Sequence, residues 1–395
     1  MSAKRRPQRR NRAASASSSR PSAVHAIRAG AGVTTAGPST TPAGETTAAA
    51  LTSLDEPVAL VISHRLESGP AGGPPYTATI RLSGRRRGVV GRPEPADTFT
   101  TTETIAGVVP GGGPMSTTTW VYGIAAGEWD VSAEVVGAER ARAANHAVLQ
   151  PVGWSWRRWA LVGAASPART RWAPTAALAA VPAVMTGSFL VTATVALLGS
   201  LLAQPIFLTH HGVPVGPAIA ASLMAMLVGL AAAKVWYMLL KGPSRATLRE
   251  GWSVDGFLVS APVVAIATAT LLGVPPGGYL DAIAPTIFLA VAVGRVGCFL
   301  TGCCAGRITA GRGIWSSDRR VGARRIPAQL IESGIGLALA AVTIPLVFGR
   351  VASGSGLVFL GSVAVYAVAR QALLRLRAES RRFSWRRAMR GAAAA

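Results

Sequence analysis

Acidic side chains and cysteines are both scarce in this chain, and each shortage excludes something. Asp and Glu total 17 against 40 Lys and Arg, and charged residues of every kind make up only 14% of the 395 residues. A soluble domain carries ~25%. The three cysteines all lie within Cys298–Cys304, so no disulfide framework staples the fold, and their spacing matches no common zinc pattern. No apolar run follows the basic start MSAKRRPQRRNR, so a cleaved secretory signal is not expected there. Nor does any nucleic-acid-binding motif accompany the formal charge of +23. Nucleic acid is therefore not an expected partner, and the headgroups of membrane lipids are the simpler one.

Apolar residues are present in quantity but unevenly. Residues 1–172 are polar, proline-punctuated and arginine-rich, whereas 173–374 are dominated by Ala, Val, Leu, Ile and Gly. Six apolar stretches, at 174–208, 215–240, 256–274, 281–304, 327–348 and 354–374, approach or exceed the ~20 residues a bilayer crossing needs. A water-soluble helix of such length is apolar along one stripe, not all round. The expected architecture is multi-domain: a disordered tail and a small β-sandwich, followed by an all-α polytopic membrane bundle of about six transmembrane helices. A multi-pass protein of the cell (plasma) membrane follows.

Residues 1–56 are a basic tail rich in Ala, Ser, Thr, Pro, Gly and Arg, too poor in large apolar side chains to offset chain entropy. Residues 57–137 hold the runs PVALVISHRLE, YTATIRLSG, DTFTTTETIAGVV, TTTWVYGIA and EWDVSAEVV. Such β-branched, alternating segments between Pro and Gly clusters read as strands of an antiparallel sandwich. This module loosely resembles a fibronectin type III or other immunoglobulin-like domain, whose job would be spacing or binding a protein partner. Residues 138–172 read as a linker in which Trp154, Trp156, Trp159 and Trp172 are interleaved with Arg157, Arg158, Arg169 and Arg171, a mixture suited to the headgroup layer. The membrane domain is expected over 173–377 and a basic C-terminal tail over 378–395.

Ionisable residues within apolar segments are costly and hence functional candidates. They are Lys234, Asp255, Asp281, Arg295, Glu332 and Arg370. Asp255, Asp281 and Glu332 lie near segment ends, where reaching water is the plainer alternative, and Lys234 is long enough to snorkel. Arg295 and Arg370 lie deeper. The stretch GRVGCFLTGCCAGR, Gly294 to Arg307, places Gly294, Gly297, Gly302 and Gly306 three to five residues apart, so backbone or ligand can approach closely. Arg295 and Arg307 bracket it, both suited to bidentate phosphate binding. A basic loop then leads to RRIPAQLIESG, where Pro327 suits the first turn of a helix.

These stretches resemble the prolipoprotein diacylglyceryl transferase family, whose signature runs Gly-Arg-x-Gly-Asn-Phe-x-Asn-x-Glu-x-x-Gly-Arg and is followed by Arg-x-Pro-[ST]-Gln-Leu-Tyr-Glu. Gly294, Arg295, Gly297, Phe299, Gly306 and Arg307 fall on the first pattern; Arg325, Pro327, Gln329, Leu330 and Glu332 fall on the second. VYAVARQALLRLR resembles the family's Tyr-Gly-x-x-Arg-Phe segment, which puts Arg370 on its arginine, and WSVDGFLVS resembles a His-Gly-Gly-Leu segment. The similarity spans roughly residues 215–377. It departs from the family at Cys298 and Thr301 for Asn, Cys303 for Glu, Asp255 for His and Ile331 for Tyr.

The resemblance implies transfer of diacylglycerol from phosphatidylglycerol to the lipobox cysteine of a prolipoprotein, recognised with its signal peptide, and no cofactor. On that reading Arg295, Arg370 and Asp255 are the catalytic candidates. Arg307, Gly294, Gly297, Gly306, Arg325, Gln329 and Glu332 are the substrate-binding candidates. Asp255 is either a proton acceptor with a pKa raised by burial or the partner of an arginine. Two rivals stand beside it: a non-catalytic phospholipid-binding protein of the same fold with a partner-binding sandwich, and a cysteine-based redox or metal protein. Against bridging, Cys298 and Cys303 stand five residues apart, off the three-or-four spacing of helix-face neighbours. Loop arginines, six of them from Arg307 to Arg325, put the signature loop and both termini on the cytoplasmic side by the positive-inside rule, whereas the family keeps that loop outside.

Overall fold

The computed structural model describes residues 58–137, 139–145, 148–164, 166–179, 181–242, 252–351 and 354–378. The tails expected at 1–56 and 378–395 lie outside these residues, Ala378 excepted. Strands β1 (Val58–Glu67), β2 (Tyr76–Arg86), β3 (Thr98–Val108), β4 (Pro114–Tyr122) and β5 (Glu128–Val136) fall on the five β-branched runs. Alternation decides what they bury, because successive side chains of a strand point to opposite faces. Ala78, Ile80 and Leu82 of β2 and Trp129, Ala133 and Val135 of β5 all turn into the core. Trp129 is fully buried, with its ring 5.6 Å from that of Phe99, and its indole N–H donates to the Ala125 carbonyl at 3.2 Å.

The β layer recruits chain from well beyond these runs. Residues 138–172, expected as a linker, carry α1 (Glu139–Ala143), the hairpin β6 (Val152–Ser155) and β7 (Ala160–Gly163), and the short β8 (Ala168–Arg169) and β9 (Arg171–Trp172). The basic loop of the membrane half supplies β10 (Ile314–Ser317) and β11 (Val321–Arg325). One sheet runs β10-β11-β4-β1-β9 and the other β3-β2-β5-β8. The edges of the five-strand core need backbone partners, and Trp/Arg-rich segments two to five residues long provide them without any apolar alternation to betray it.

The helices are α2 (Ala173–Ala177), α3 (Ser188–His210), α4 (Val215–Lys241), α5 (Val254–Leu271), α6 (Pro276–Thr301), α7 (Ala328–Phe348) and α8 (Leu357–Leu374). Among the described residues five of them, α3, α4, α6, α7 and α8, are long and apolar enough to cross a membrane, while the apolar part of α5 is shorter, Gly256–Leu271. Leu202, Leu239, Leu271 and Val368 are each more than 70% exposed on the outside of the bundle, which suits lipid and not water. The chain is an integral membrane protein. The first stretch, expected as one span over 174–208, is broken before Ser188: Pro182 interrupts it and Gly187 turns the backbone left-handed (φ 82). The fourth, expected to reach residue 304, stops at Thr301 because Gly302 is left-handed as well (φ 74).

Helix ends sort into two faces. On one, Met185 N–H donates to Leu300 C=O (2.8 Å) and Arg307 N–H to Leu376 C=O (2.9 Å), while the hydroxyls of Ser188 and Thr301 meet at 2.8 Å. On the other, His210 and His211 donate from Nε2 to the carbonyls of Phe348 (2.8 Å) and Val347 (2.9 Å). Asp281, fully buried there, accepts the N–H groups of Gly356 (2.9 Å) and Phe359 (3.1 Å) and so caps α8. It does not reach water, contrary to the plainer expectation for it. The sandwich, the signature loop and the end of α8 thus share one face.

Candidate functional site

The signature end of α6 meets α7 and α8 around a single carboxylate. Glu332, 1% exposed, lies one turn into α7, so it too fails to reach water. Its Oε1 accepts from Arg295 Nη2 at 2.8 Å, from Arg370 Nη1 at 2.8 Å and from the Tyr366 hydroxyl at 2.7 Å. Its Oε2 accepts from Arg377 Nη2 at 2.7 Å. Three guanidiniums and one carboxylate leave the cluster a formal +2. Each guanidinium carries five N–H donors and gives Glu332 one amino group, and the Nε of Arg377 is buried without a hydrogen-bond partner. The arrangement has donors to spare for an anion.

Helix geometry explains the convergence. Tyr366 and Arg370 are four residues apart on α8 and share one face. The chain continues past Leu374 in tight turns, with Arg377 N–H on the Leu374 carbonyl (3.4 Å), which returns Arg377 to that face. Sequence reasoning missed Arg377 and Tyr366. The signal was there in the seven-residue step from Arg370 to Arg377, two helical turns, at the last residue of the expected membrane domain.

The other candidates divide by role. Gly297 lets α3 in: a Cβ there would lie 1.7 Å from Thr192 Oγ1. Gly306 packs on the Ile326 carbonyl, which a Cβ would meet at 2.0 Å, whereas Gly294 faces open space. Gln329 is buried and donates from Nε2 to the Cys303 carbonyl (2.8 Å). Arg325 is also buried and occupied in holding the loop, with Asp318 at 2.7 Å and the Gly306 carbonyl at 3.1 Å. Burial lowers its pKa, with Asp318 opposing. Arg307 is exposed and donates from Nε to the Arg377 carbonyl (3.3 Å), so it borders the cluster without joining it. Asp255 belongs to the first turn of α5, and its side chain lies outside the described residues. The ammonium of Lys234 lies 5.5 Å from the Trp252 ring and 5.7 Å from the Tyr237 ring, a cation–π setting.

The sandwich roofs this site. β11 pairs with β4, Val321 opposite Thr117 and Gly322 opposite Ser116. The ring N–H of Trp315 donates to the Pro114 carbonyl (2.9 Å), and Arg320 pairs with Glu103. The β6–β7 hairpin adds Trp154, stacked on Trp315 at 4.7 Å, and Trp159, stacked on Phe299 of the signature at 6.1 Å. Residues expected to meet headgroups therefore spend part of their aromatic surface on the signature itself. His210 and His211, bound to the Phe348 and Val347 carbonyls, sit at the opposite end of the bundle from the cysteines.

Residues 187–393 match the family described as LGT: Prolipoprotein diacylglyceryl transferase. No curated protein and no solved structure matches the chain.

Proposed function

The chain belongs to the prolipoprotein diacylglyceryl transferase family, and on that premise we propose that it moves a diacylglyceryl group from phosphatidylglycerol to the lipobox cysteine of a prolipoprotein in the plasma membrane. In that reaction the cysteine thiol gives up its proton, its sulfur attacks a glyceryl carbon, the carbon–oxygen bond to phosphate breaks, and glycerol phosphate leaves with the bonding electrons and takes up the proton. The observation that carries this reading is the convergence of Arg295, Arg370 and Arg377 on Glu332. Glu332 holds the guanidiniums in place, and their remaining N–H donors face the charge that builds on the leaving phosphate. Preorganised donors of this kind are worth ~3 kcal/mol each in a dry site, roughly a hundredfold in rate. Arg307, at the rim, meets the headgroup on arrival, and open space beside Gly294 leaves room for the lipid.

The test is lipidation of a model precursor in cells depleted of their own transferase. The wild-type chain restores lipidation, and Arg295→Ala and Arg370→Ala each reduce it at least about a hundredfold at equal protein level. Wild-type protein that inserts and folds without supporting lipidation would replace this reading with that of a non-catalytic phospholipid-binding relative. Replacing phosphatidylglycerol by a zwitterionic donor in a reconstituted assay separates the choice of donor from the transfer itself.

A further inference from the structure

Folded proteins blunt the edges of their sheets with Lys, Pro, bulges or a covering element. β3 is the outer strand of the β3-β2-β5-β8 sheet and reads TFTTTETIAGV, with neither Lys nor Pro. A bulge breaks its register only at the far end, between the pairs Ala78–Ile105 and Tyr76–Val108. Which backbone groups the edge leaves open follows from the ladder. Successive residues of a strand turn their backbone groups to opposite sides. The Arg87 N–H donates to the Glu128 carbonyl at 2.8 Å, so odd-numbered residues of β2 bond β5 and even-numbered ones bond β3. Ile80 faces Glu103, Leu82 faces Thr101 and Gly84 faces Phe99, so these residues of β3 are the ones turned to β2. Thr100, Thr102 and Thr104 aim their N–H and C=O groups away from the sheet, and among the described residues none of these groups meets a partner there.

The edge leads to the arginine cluster. Arg320, in the turn between β10 and β11, pairs with Glu103 and so answers the one charge on the strand. Beyond Val108 the chain reaches Gly112, where a Cβ would lie 3.7 Å from the Thr309 carbonyl, two residues past Arg307. The open edge therefore begins beside the rim of the site and runs away from it.

We propose that residues 98–104 of β3 take up, by strand addition, the extended segment that follows the lipobox cysteine of the precursor. This rests on the transferase reading. A precursor whose cysteine sits at Arg295 and Arg370 keeps its apolar signal peptide in the bilayer, and the chain after the cysteine leaves on the face that the sandwich shares with the signature loop. Leaving the rim, that segment meets β3 at its Ile105 end and runs toward Thr98. It is then antiparallel to β3, the stronger of the two pairings. Bonds to the outward backbone groups hold any sequence able to extend. The exposed side chains of Thr100, Thr102 and Thr104 favour Ser and Thr opposite them, and a proline-rich segment is rejected for want of N–H donors. The sandwich thus holds the substrate without touching the reacting atoms.

Full-length protein in detergent is mixed with a model prolipoprotein whose lipobox cysteine is replaced by serine, and amide exchange is followed by mass spectrometry. Exchange over residues 100–104 slows at least about tenfold, while residues 129–135 in the core are unaffected. A precursor with prolines alternating through the segment after the cysteine gives no such protection. Thr102→Pro, which an edge strand tolerates where the N–H faces outward, abolishes the protection, and Thr102→Val keeps it. In the lipidation assay Thr102→Pro raises KM for the precursor at least about tenfold with kcat unchanged. Unchanged exchange, or a wild-type KM in Thr102→Pro, overturns the docking and leaves the transferase reading standing. A wild type that cannot lipidate removes that reading, and the exchange arm still decides whether the edge binds the precursor. Protection already present without precursor, and lost on deleting residues 1–56 or on dilution, assigns the edge to the chain's own tail or to a second copy and also overturns the proposal.

Discussion

Glu332→Gln keeps the shape of the carboxylate and removes the charge on which three guanidiniums converge. With N–O separations of 2.7 to 2.8 Å, the cations lie on the order of 5 Å apart, and at an effective dielectric of 20 each like-charge pair then costs about 3 kcal/mol. Deleting the partner of a buried ion costs about 3 to 5 kcal/mol by itself. The glutamine also turns an amide N–H₂ toward guanidiniums, which can only donate. A destabilisation of about 4 kcal/mol is a cautious expectation after the cluster relaxes, which for a domain of this size lowers Tm by roughly 10 °C. Thermal unfolding of purified protein in detergent, followed by loss of the monodisperse peak, reads it directly. Repulsion has a second signature. Adding Arg377→Gln to the Glu332→Gln background removes one cation and regains about 2 kcal/mol, although Arg377→Gln alone destabilises. Glu332→Gln with an unchanged Tm, or a double variant less stable than Glu332→Gln, would refute the claim that this carboxylate holds the cluster together.

Three further outcomes are expected. His64 is buried in the sandwich core, and burial lowers its pKa from 6.5 to about 4; the unfolded chain therefore binds more protons between those values. Stability is complete above about pH 6.5 and falls by about 3 kcal/mol as pH drops toward 4, a loss that His64→Gln abolishes in a denaturant titration. Gly297→Ala drives a Cβ into Thr192 and costs about 1 to 3 kcal/mol, partly recovered in the Gly297→Ala, Thr192→Ala double variant by thermal unfolding. Trp315→Ala removes the stack on Trp154 and the bond to the Pro114 carbonyl. Amides of β11 then exchange at least about tenfold faster while those around Trp129 keep their protection.

What was legible followed from periodicity and from residues with one chemical use. Five strands stood out because Tyr76 to Leu82 and Trp129 to Val135 alternate, and the spans stood out because long, all-round apolar runs have few other homes. Arg295 and Arg370 were legible as a pair because guanidinium has little reason to lie in an apolar segment without an anion to meet. Contacts made by short or irregular chain were not legible. β8, β9, β10 and β11 have two to five residues each, too few for a period to register, and a sheet edge is completed by backbone, which any sequence can offer. Arg377 was hidden by its neighbours, since one arginine among the seven from Arg375 to Arg390 looks like tail charge until the turns after Leu374 return it to Glu332. The end of α6 was hidden because the apolar stretch runs on to residue 304, and a single left-handed glycine, Gly302, is enough to stop the helix at Thr301.

The same local detail bears on which side of the membrane the signature faces. The positive-inside rule counts cations that are free to choose a leaflet, and several of the arginines that argued for a cytoplasmic signature loop are committed within the protein. Arg320 is paired with Glu103, Arg325 is buried against Asp318, and Arg377, just past the end of α8, is bound to Glu332. Arg307 is tied by Nε to the Arg377 carbonyl, although its charge stays uncompensated. These charges are answered by protein contacts as much as by lipid, so the loop's count overstates its vote. The pairing of β11 with β4 adds a constraint that charge cannot supply: the sandwich and the signature loop lie on one side together. Folded domains of this length cross or stay largely regardless of their charge. Sidedness is therefore decided by where the sandwich folds, and the loop arginines, whichever leaflet they would have preferred alone, go with it.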